Sequence, residues 1–217
     1  MDLKFLDNEV KRINDLFKYY NSIKLTPKSF EGEIDLNNLV EKKNYMVVDV
    51  ETSRNRNLIQ IAYNIYDNNH RLIKEFDTLI DDGIGEVDFY EKYTIDDIML
   101  EGMSSREAFQ IIKQDIDECS HVIGHNISFD LGVMDRYFAR LKIPYNKPET
   151  ICTMRQSTNY CKLQGKGKAY KIPKLSELYF KCFGKEPDNT KTHTAEYDIA
   201  ITHMCFMHLL RNNIVKL

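Results

Sequence analysis

In the first part of the chain, apolar residues recur at alternating intervals of three and four, at Leu3, Leu6, Val10, Ile13, Phe17 and Tyr20. That spacing predicts one stripe along a helix. Barely three heptads without sustained charge pairing favour packing against the main domain over a dimerisation seam, so a homodimer stays open. Thr26-Pro27-Lys28-Ser29-Phe30-Glu31-Gly32 reads as a loop, and Leu36 to Lys42 as a short helix leading into the first strand. The expected organisation is a helical N-terminal extension over residues 1–44 and a main domain over 45–217.

From Tyr45 the pattern becomes strand-like, over Tyr45 to Glu51, Leu58 to Tyr66 and Arg71 to Ile80. Asp67-Asn68-Asn69-His70 are turn residues, which makes the last two a hairpin. The texture then alternates. Ser104 or Ser105 caps a helix to about Glu118 with Phe109, Ile112 and Ile116 on its buried side, and His121 to Asn126 is a short buried strand. A helix from about Phe129 to Lys142 ends at Pro144, and Ile151-Cys152-Thr153 reads as a fifth strand. Helical stretches follow at Met154 to Leu163 and at Lys174 to Phe183, with Gly184 as C-cap, then a final helix from about Ala195 to Arg211. Strands first, then alternating helix and strand, predict an α/β fold with helices on the faces of a mixed sheet.

Composition bounds the class. With 217 residues, 42% hydrophobic and 29% charged, the chain is long enough for one full core and a small appendage. The first residues interrupt their apolar positions with charge, and no stretch approaches the roughly 18 apolar residues of a spanning helix, so no membrane partner is expected. Five cysteines without a C-x-x-C pair argue for reduced thiols, hence a soluble intracellular protein, cytoplasmic or nuclear. A net charge of -3 argues against a general nucleic-acid-coating protein but leaves room for a local basic strip.

The candidate chemistry begins at Val47-Val48-Asp49-Val50-Glu51-Thr52, where an apolar run carries two carboxylates at i and i+2. Strand side chains alternate with period two, so Asp49 and Glu51 share a face. Two like charges there sit at an open strand end or are neutralised by cations. Asp130, in Gly124-His125-Asn126-Ile127-Ser128-Phe129-Asp130, falls in a helix first turn if Ser128 is the cap. Asp198 follows in His193-Thr194-Ala195-Glu196-Tyr197-Asp198. Positions i and i+5 differ by roughly 140° on a helix, so His193 and Asp198 converge only if Thr194 caps the helix and His193 stays in the preceding loop. Four carboxylates carry a formal charge of about -4, which two Mg²⁺ or Mn²⁺ ions balance, and oxygen-only ligation suits those hard ions rather than zinc. Such an ion pair serves in-line displacement at phosphorus, and histidine as a residue type exchanges protons near neutral pH.

In these motifs the sequence resembles the DEDD exonucleases, specifically the histidine-containing DnaQ-like (DEDDh) branch. Asp49-x-Glu51, His125-Asn126-x-x-Phe129-Asp130 and His193-x-Ala195-x-x-Asp198 stand for the three family motifs, and Leu58-Ile59-Gln60-Ile61-Ala62 looks like the second strand. The resemblance implies an RNase H-like fold with a five-stranded mixed sheet, and two metals on Asp49, Glu51, Asp130 and Asp198. It also implies His193 as general base and release of 5'-nucleoside monophosphates from a single-stranded DNA or RNA 3' end. The alternatives are an exoribonuclease for structured or very short RNA, and a catalytically inactive nucleic-acid-binding module on the same fold. Any larger replication, repair or RNA-processing partner is unknown.

Two departures stand out. Many relatives follow the first motif with threonine and glycine, whereas Thr52 here leads to Ser53-Arg54-Asn55-Arg56-Asn57, and Cys152 replaces an Asp common in relatives. A basic strip, Lys162, Lys166, Lys168, Lys171 and Lys174, carries Gly165 and Gly167 for flexibility and Tyr160 and Tyr170 for stacking, as suits a single strand. Substrate contacts are expected from Thr52, Ser53, Arg54, Arg56, Asn126, Phe129, Lys166 and Lys168. His203-x-Cys205-x-x-His208 has metal-like residue types but sits on an apolar helix and reads as core margin, and Cys152, Cys161 and Cys182 lack zinc-site spacing.

Overall fold

The structure, a computed structural model, describes residues 44–83, 93–167, 169–188, 190 and 192–217. The stripe from Leu3 to Tyr20, the loop and helix expected before residue 43, and Lys168 lie outside the described residues.

Five strands form one sheet in the order β3-β2-β1-β4-β5. They are β1 (Asn44–Thr52), β2 (Leu58–Tyr66), β3 (Leu72–Leu79), β4 (Cys119–Gly124) and β5 (Glu149–Cys152). The first three pair antiparallel and β1-β4-β5 pair parallel, giving the mixed sheet expected from the sequence. Among the described residues seven helices accompany it: α1 (Ile95–Glu101), α2 (Ser105–Asp117), α3 (Ile127–Leu141), α4 (Thr153–Gln156), α5 (Thr158–Cys161), α6 (Leu175–Phe183) and α7 (Ala195–Arg211).

The central strand is covered on both faces, so its residues form a continuous apolar run rather than an alternating one. Met46, Val48 and Val50 pack with Phe109, Ile112, Met134 and Phe138 of α2 and α3. Tyr45 and Val47 pack with Cys205, Phe206 and Leu209 of α7. Period two carries the second set on to Asp49 and Glu51, which therefore project on the α7 side. Pairing between β1 and β4 stops at Val47↔Ile123, while β1 continues to Thr52 against β2. The carboxyl end of β1 is thus open on its β4 side, the place where open α/β sheets hold ligands.

Several boundaries differ from the sequence reading, each for a local reason. β4 ends at Gly124 and α3 begins at Ile127 because Asn126 takes a left-handed conformation (φ 76°) that turns the chain between them. Asn126, not Ser128, occupies the N-cap position, without a side-chain cap bond. The stretch from Met154 to Leu163 is broken into α4 and α5 at the buried Ser157. α1 was not anticipated, since it buries only Ile98, but a Thr94-Asp97 capping box marks its start. No described helix is long and apolar enough to cross a membrane.

One polar contact is built into the core: the fully buried Tyr63 donates its phenol proton to Asp115, whose other oxygen accepts from Lys74 Nζ at 2.7 Å. Tyr63→Phe leaves a buried carboxylate oxygen without that donor, so equilibrium urea unfolding is expected to show a loss of about 1–3 kcal/mol with unchanged slope. An unchanged midpoint would mean that the phenol-carboxylate bond contributes nothing.

Candidate active site

Four carboxylates meet at the open end of β1. Asp49 and Glu51 come from the strand, Asp130 from the first turn of α3 and Asp198 from the first turn of α7. Ligand atoms of Glu51, His193 and Asp198 all lie within 4.8 Å of one another. Burial holds the Asp49 carboxyl well above the usual carboxylate range, and the neighbouring charges of Asp130, Glu51 and Asp198 push the same way. Asp130, 3% exposed, is pushed up to about 8 by burial, with Glu51 adding to the rise. Hydrogen bonds from the backbone N–H groups of Val50 and of Asp130 itself oppose that shift. Val50 lies past the last β1-β4 pair, so its amide is available to a helix side chain.

Asp130 carries the feature that a bound metal would explain. Its Oδ2 is buried with no hydrogen-bond partner among the described residues. A buried oxygen left so is costly, and a cation would remove that cost. Clustered carboxylates with an orphan oxygen fit a hard divalent ion.

His193 lies in the loop before α7, exposed, at φ 65°. A non-glycine residue there costs on the order of 1–3 kcal/mol, sustained by the surrounding structure. Thr194 takes the extended N-cap backbone, which separates His193 from the helix as the spacing argument requires, but its side chain makes no cap bond. The first helical N–H, that of Ala195, instead donates to Gln60 Oε1 at 3.0 Å. A cleft of about 210 Å³ opens beside His193 and Asp198, walled by Lys174, Leu175, Ser176, Pro187, Thr192 and Ile201.

The expected substrate residues divide into two groups. Thr52 is half-buried at the end of β1, while Arg54, Arg56, Asn126, Phe129 and Lys166 are exposed, Phe129 on the first turn of α3. Ser53 is buried and closes a turn on itself: its N–H donates to Asn57 O, and its Oγ accepts from Asn57 N–H at 3.1 Å. That turn is tied to α3, since Arg136 donates to Arg56 O at 3.0 Å and Tyr137 Oη accepts from Leu58 N–H at 3.0 Å.

In the basic strip Gly165 serves close approach rather than flexibility, because a Cβ there would lie 2.3 Å from Ala169 O. Gly167, at φ 91°, makes the turn. Lys171 pairs with Glu177. The strip's far end is held by His125, whose Nε2 donates to Pro173 O while Nδ1 meets Thr153 Oγ1, each at 3.1 Å. Burial lowers the His125 pKa to about 4, so the ring is neutral at pH 7. The sequence reading missed the roles of His125 and Gln60; a polar residue inside an apolar strand was the available signal for Gln60. His203 and His208 do not converge: the first stacks on Tyr66 at 3.7 Å between centroids, the second meets Tyr160 Oη at 2.8 Å.

Residues 46–206 match the RNase_T family, described as exonuclease. Over 136 residues the chain is 30% identical to the DNA polymerase III PolC-type of Streptococcus agalactiae serotype III (strain NEM316), covering 59% of this chain and 9% of that protein. The fold is similar to E. coli Exonuclease I in complex with a dA16 oligonucleotide, with a TM-score of 0.62 at 14% identity, covering 79% of this chain and 42% of the other. The zinc ion bound form of the E. coli ExoI-ssDNA complex gives a TM-score of 0.62 at 12% identity over 79% and 41% of the two chains. This chain thus spans less than half the length of these relatives.

Asp130, raised from 3.8 to about 8, binds a proton in the metal-free fold where the unfolded chain has released it. The folded state then holds more protons, so stability falls as pH rises through that window. His125 and His203, both lowered to about 4, oppose this trend below about pH 6.5, where unfolded histidine takes up its proton. In chelator, stability is therefore expected to fall between about pH 6.5 and 8 by at most about 1.4 kcal/mol per pH unit for each such group, read as a falling melting temperature. Asp130→Asn should flatten that slope in differential scanning calorimetry; an equal slope in the variant would sink the assignment.

Proposed function

The chain belongs to the RNase_T exonuclease family, and from that premise we propose a metal-dependent exonuclease of the histidine-containing type, removing nucleotides from 3' ends of single-stranded DNA or RNA. Residues 45–217 form its catalytic domain and 1–44 an extension. The observation that carries this reading is the convergence of Glu51, His193 and Asp198 within 4.8 Å, beside the orphan oxygen of Asp130. Asp49, Glu51, Asp130 and Asp198 would hold two Mg²⁺ or Mn²⁺ ions. Bound there, such ions supply charge compensation and Lewis acidity for in-line displacement at phosphorus.

His193 acts as general base. A ring nitrogen takes a proton from the attacking water as its oxygen bonds to phosphorus. The bond to the 3' oxygen of the preceding nucleotide breaks, that oxygen leaves and is protonated, and a 5'-nucleoside monophosphate is released. An exposed loop position next to fixed carboxylates suits a group that must bind and release a proton each turnover. Arg54, Arg56 and Lys166 attract the phosphates, while Thr52, Asn126 and the 41% exposed Phe129 contact the terminal nucleotides. Ser53 shapes the turn that presents the arginines. Single-stranded DNA is the first substrate to test, given the oligonucleotide complexes of the E. coli Exonuclease I fold relatives. Retention of all five chemical residues argues against an inactive binding module.

A time course on matched 3'- and 5'-labelled DNA and RNA, single- and double-stranded, with Mg²⁺, Mn²⁺ or chelator, is expected to show mononucleotides leaving the 3' end only with metal. Asp198→Ala should abolish that release while the circular dichroism melt stays cooperative, and wild-type turnover in the variant would remove this mechanism. For His193→Ala, kcat is expected to fall about 10²- to 10⁴-fold with metal binding mostly retained. Loss of both ions in a calorimetric titration would mean that His193 is a ligand.

A further inference from the structure

Gln60 stands on β2 directly opposite Glu51 and is 2% exposed. Every polar atom of its carboxamide is used. Oε1 accepts from Ala195 N–H at 3.0 Å, and Nε2 donates to Asp77 Oδ1 at 2.8 Å. Donor chemistry fixes the orientation of the amide: a backbone N–H requires the oxygen, and a carboxylate requires the NH₂.

Ala195 is the first residue of α7, and its N–H is one of the four that a helix cannot satisfy internally. Gln60 thus caps the helix from the sheet. On one side of this bond lies His193, two residues upstream at φ 65°; on the other lies Asp198, three residues into the first turn. The strand partner of Gln60 is Glu51. One buried carboxamide therefore joins β2, at the position paired with Glu51 of β1, to the turn that carries the two groups converging on Glu51.

We propose that Gln60 is a positioning residue: it sets the spacing between the β1-β2 strands and the first turn of α7, and so the convergence of Glu51 with His193 and Asp198. This rests on the metal-nuclease reading above. Supporting groups outside a metal's ligands change its affinity by about 10- to 100-fold when lost, and a misplacement of about 1 Å lowers turnover by about 100-fold.

The test uses the full chain and Mn²⁺ alone as probe, with Mn²⁺ affinity read by calorimetric titration beside kcat and KM on a single-stranded oligonucleotide. Gln60→Leu, which removes the acceptor, is expected to weaken Mn²⁺ binding about 10- to 100-fold and lower kcat about 100-fold with KM within about threefold. Gln60→Met replaces it if the first variant does not fold. Gln60→Glu combined with Asp77→Asn keeps the acceptor for Ala195 and reverses the donor-acceptor sense toward β3, and should restore both values to within about threefold. Wild-type Mn²⁺ affinity and kcat in a folded Gln60→Leu or Gln60→Met, or no restoration in a folded double variant, overturns the proposal. Failure of the wild-type chain to bind Mn²⁺ or release nucleotide would instead overturn the nuclease reading.

Discussion

At one end of β1, Asp49 and Glu51 project from the same face while two different helices bring Asp130 and Asp198 against them, so like charges meet where burial has removed most of the screening water. Burial, with the neighbouring carboxylates adding to it, raises both Asp49 and Asp130, and the buried Oδ2 of Asp130 marks where a cation would be most welcome. The rest of the fold keeps these groups together in the metal-free state. Its apolar layers on both faces of β1 provide the free energy against which the site is strained.

Geometry shares the task. Both Asp130 and Asp198 sit in helix first turns, where the exposed amides and the positive end of the helix dipole favour a carboxylate. The β1-β4 ladder ends early, freeing the Val50 amide for Asp130. Gln60 ties the start of α7 to β2, so the two halves of the site are joined through one buried side chain as well as through packing.

The surfaces around the site are also held in shape. Ser53 to Asn57 form a closed turn pinned to α3 by Arg136 and Tyr137, leaving Arg54 and Arg56 on its exterior. His125 fastens the end of the basic strip through Pro173, close to Lys174 at the rim of the cleft. A polyanionic strand would meet charges already arranged, which lowers the ordering cost of binding.

The strands and most of the helices were legible in the sequence, and the five residues proposed for the chemistry were brought forward there, because these readings depend on short-range rules. Period two places Asp49 with Glu51, and an i, i+5 separation requires a break between His193 and Asp198. Residue spacing says nothing about partners far apart in the chain: Ser104 and Gly184 cap as read, but Ser128 does not cap α3, and Thr194, at the N-cap of α7, makes no side-chain cap bond. The Ala195 amide found its acceptor 135 residues away, on β2. Likewise Gly165, read as a source of flexibility, is required by the backbone of Ala169 passing beside it. Tertiary structure decided these points, since a buried hydrogen-bond donor must be satisfied by whichever group the folded chain brings within reach.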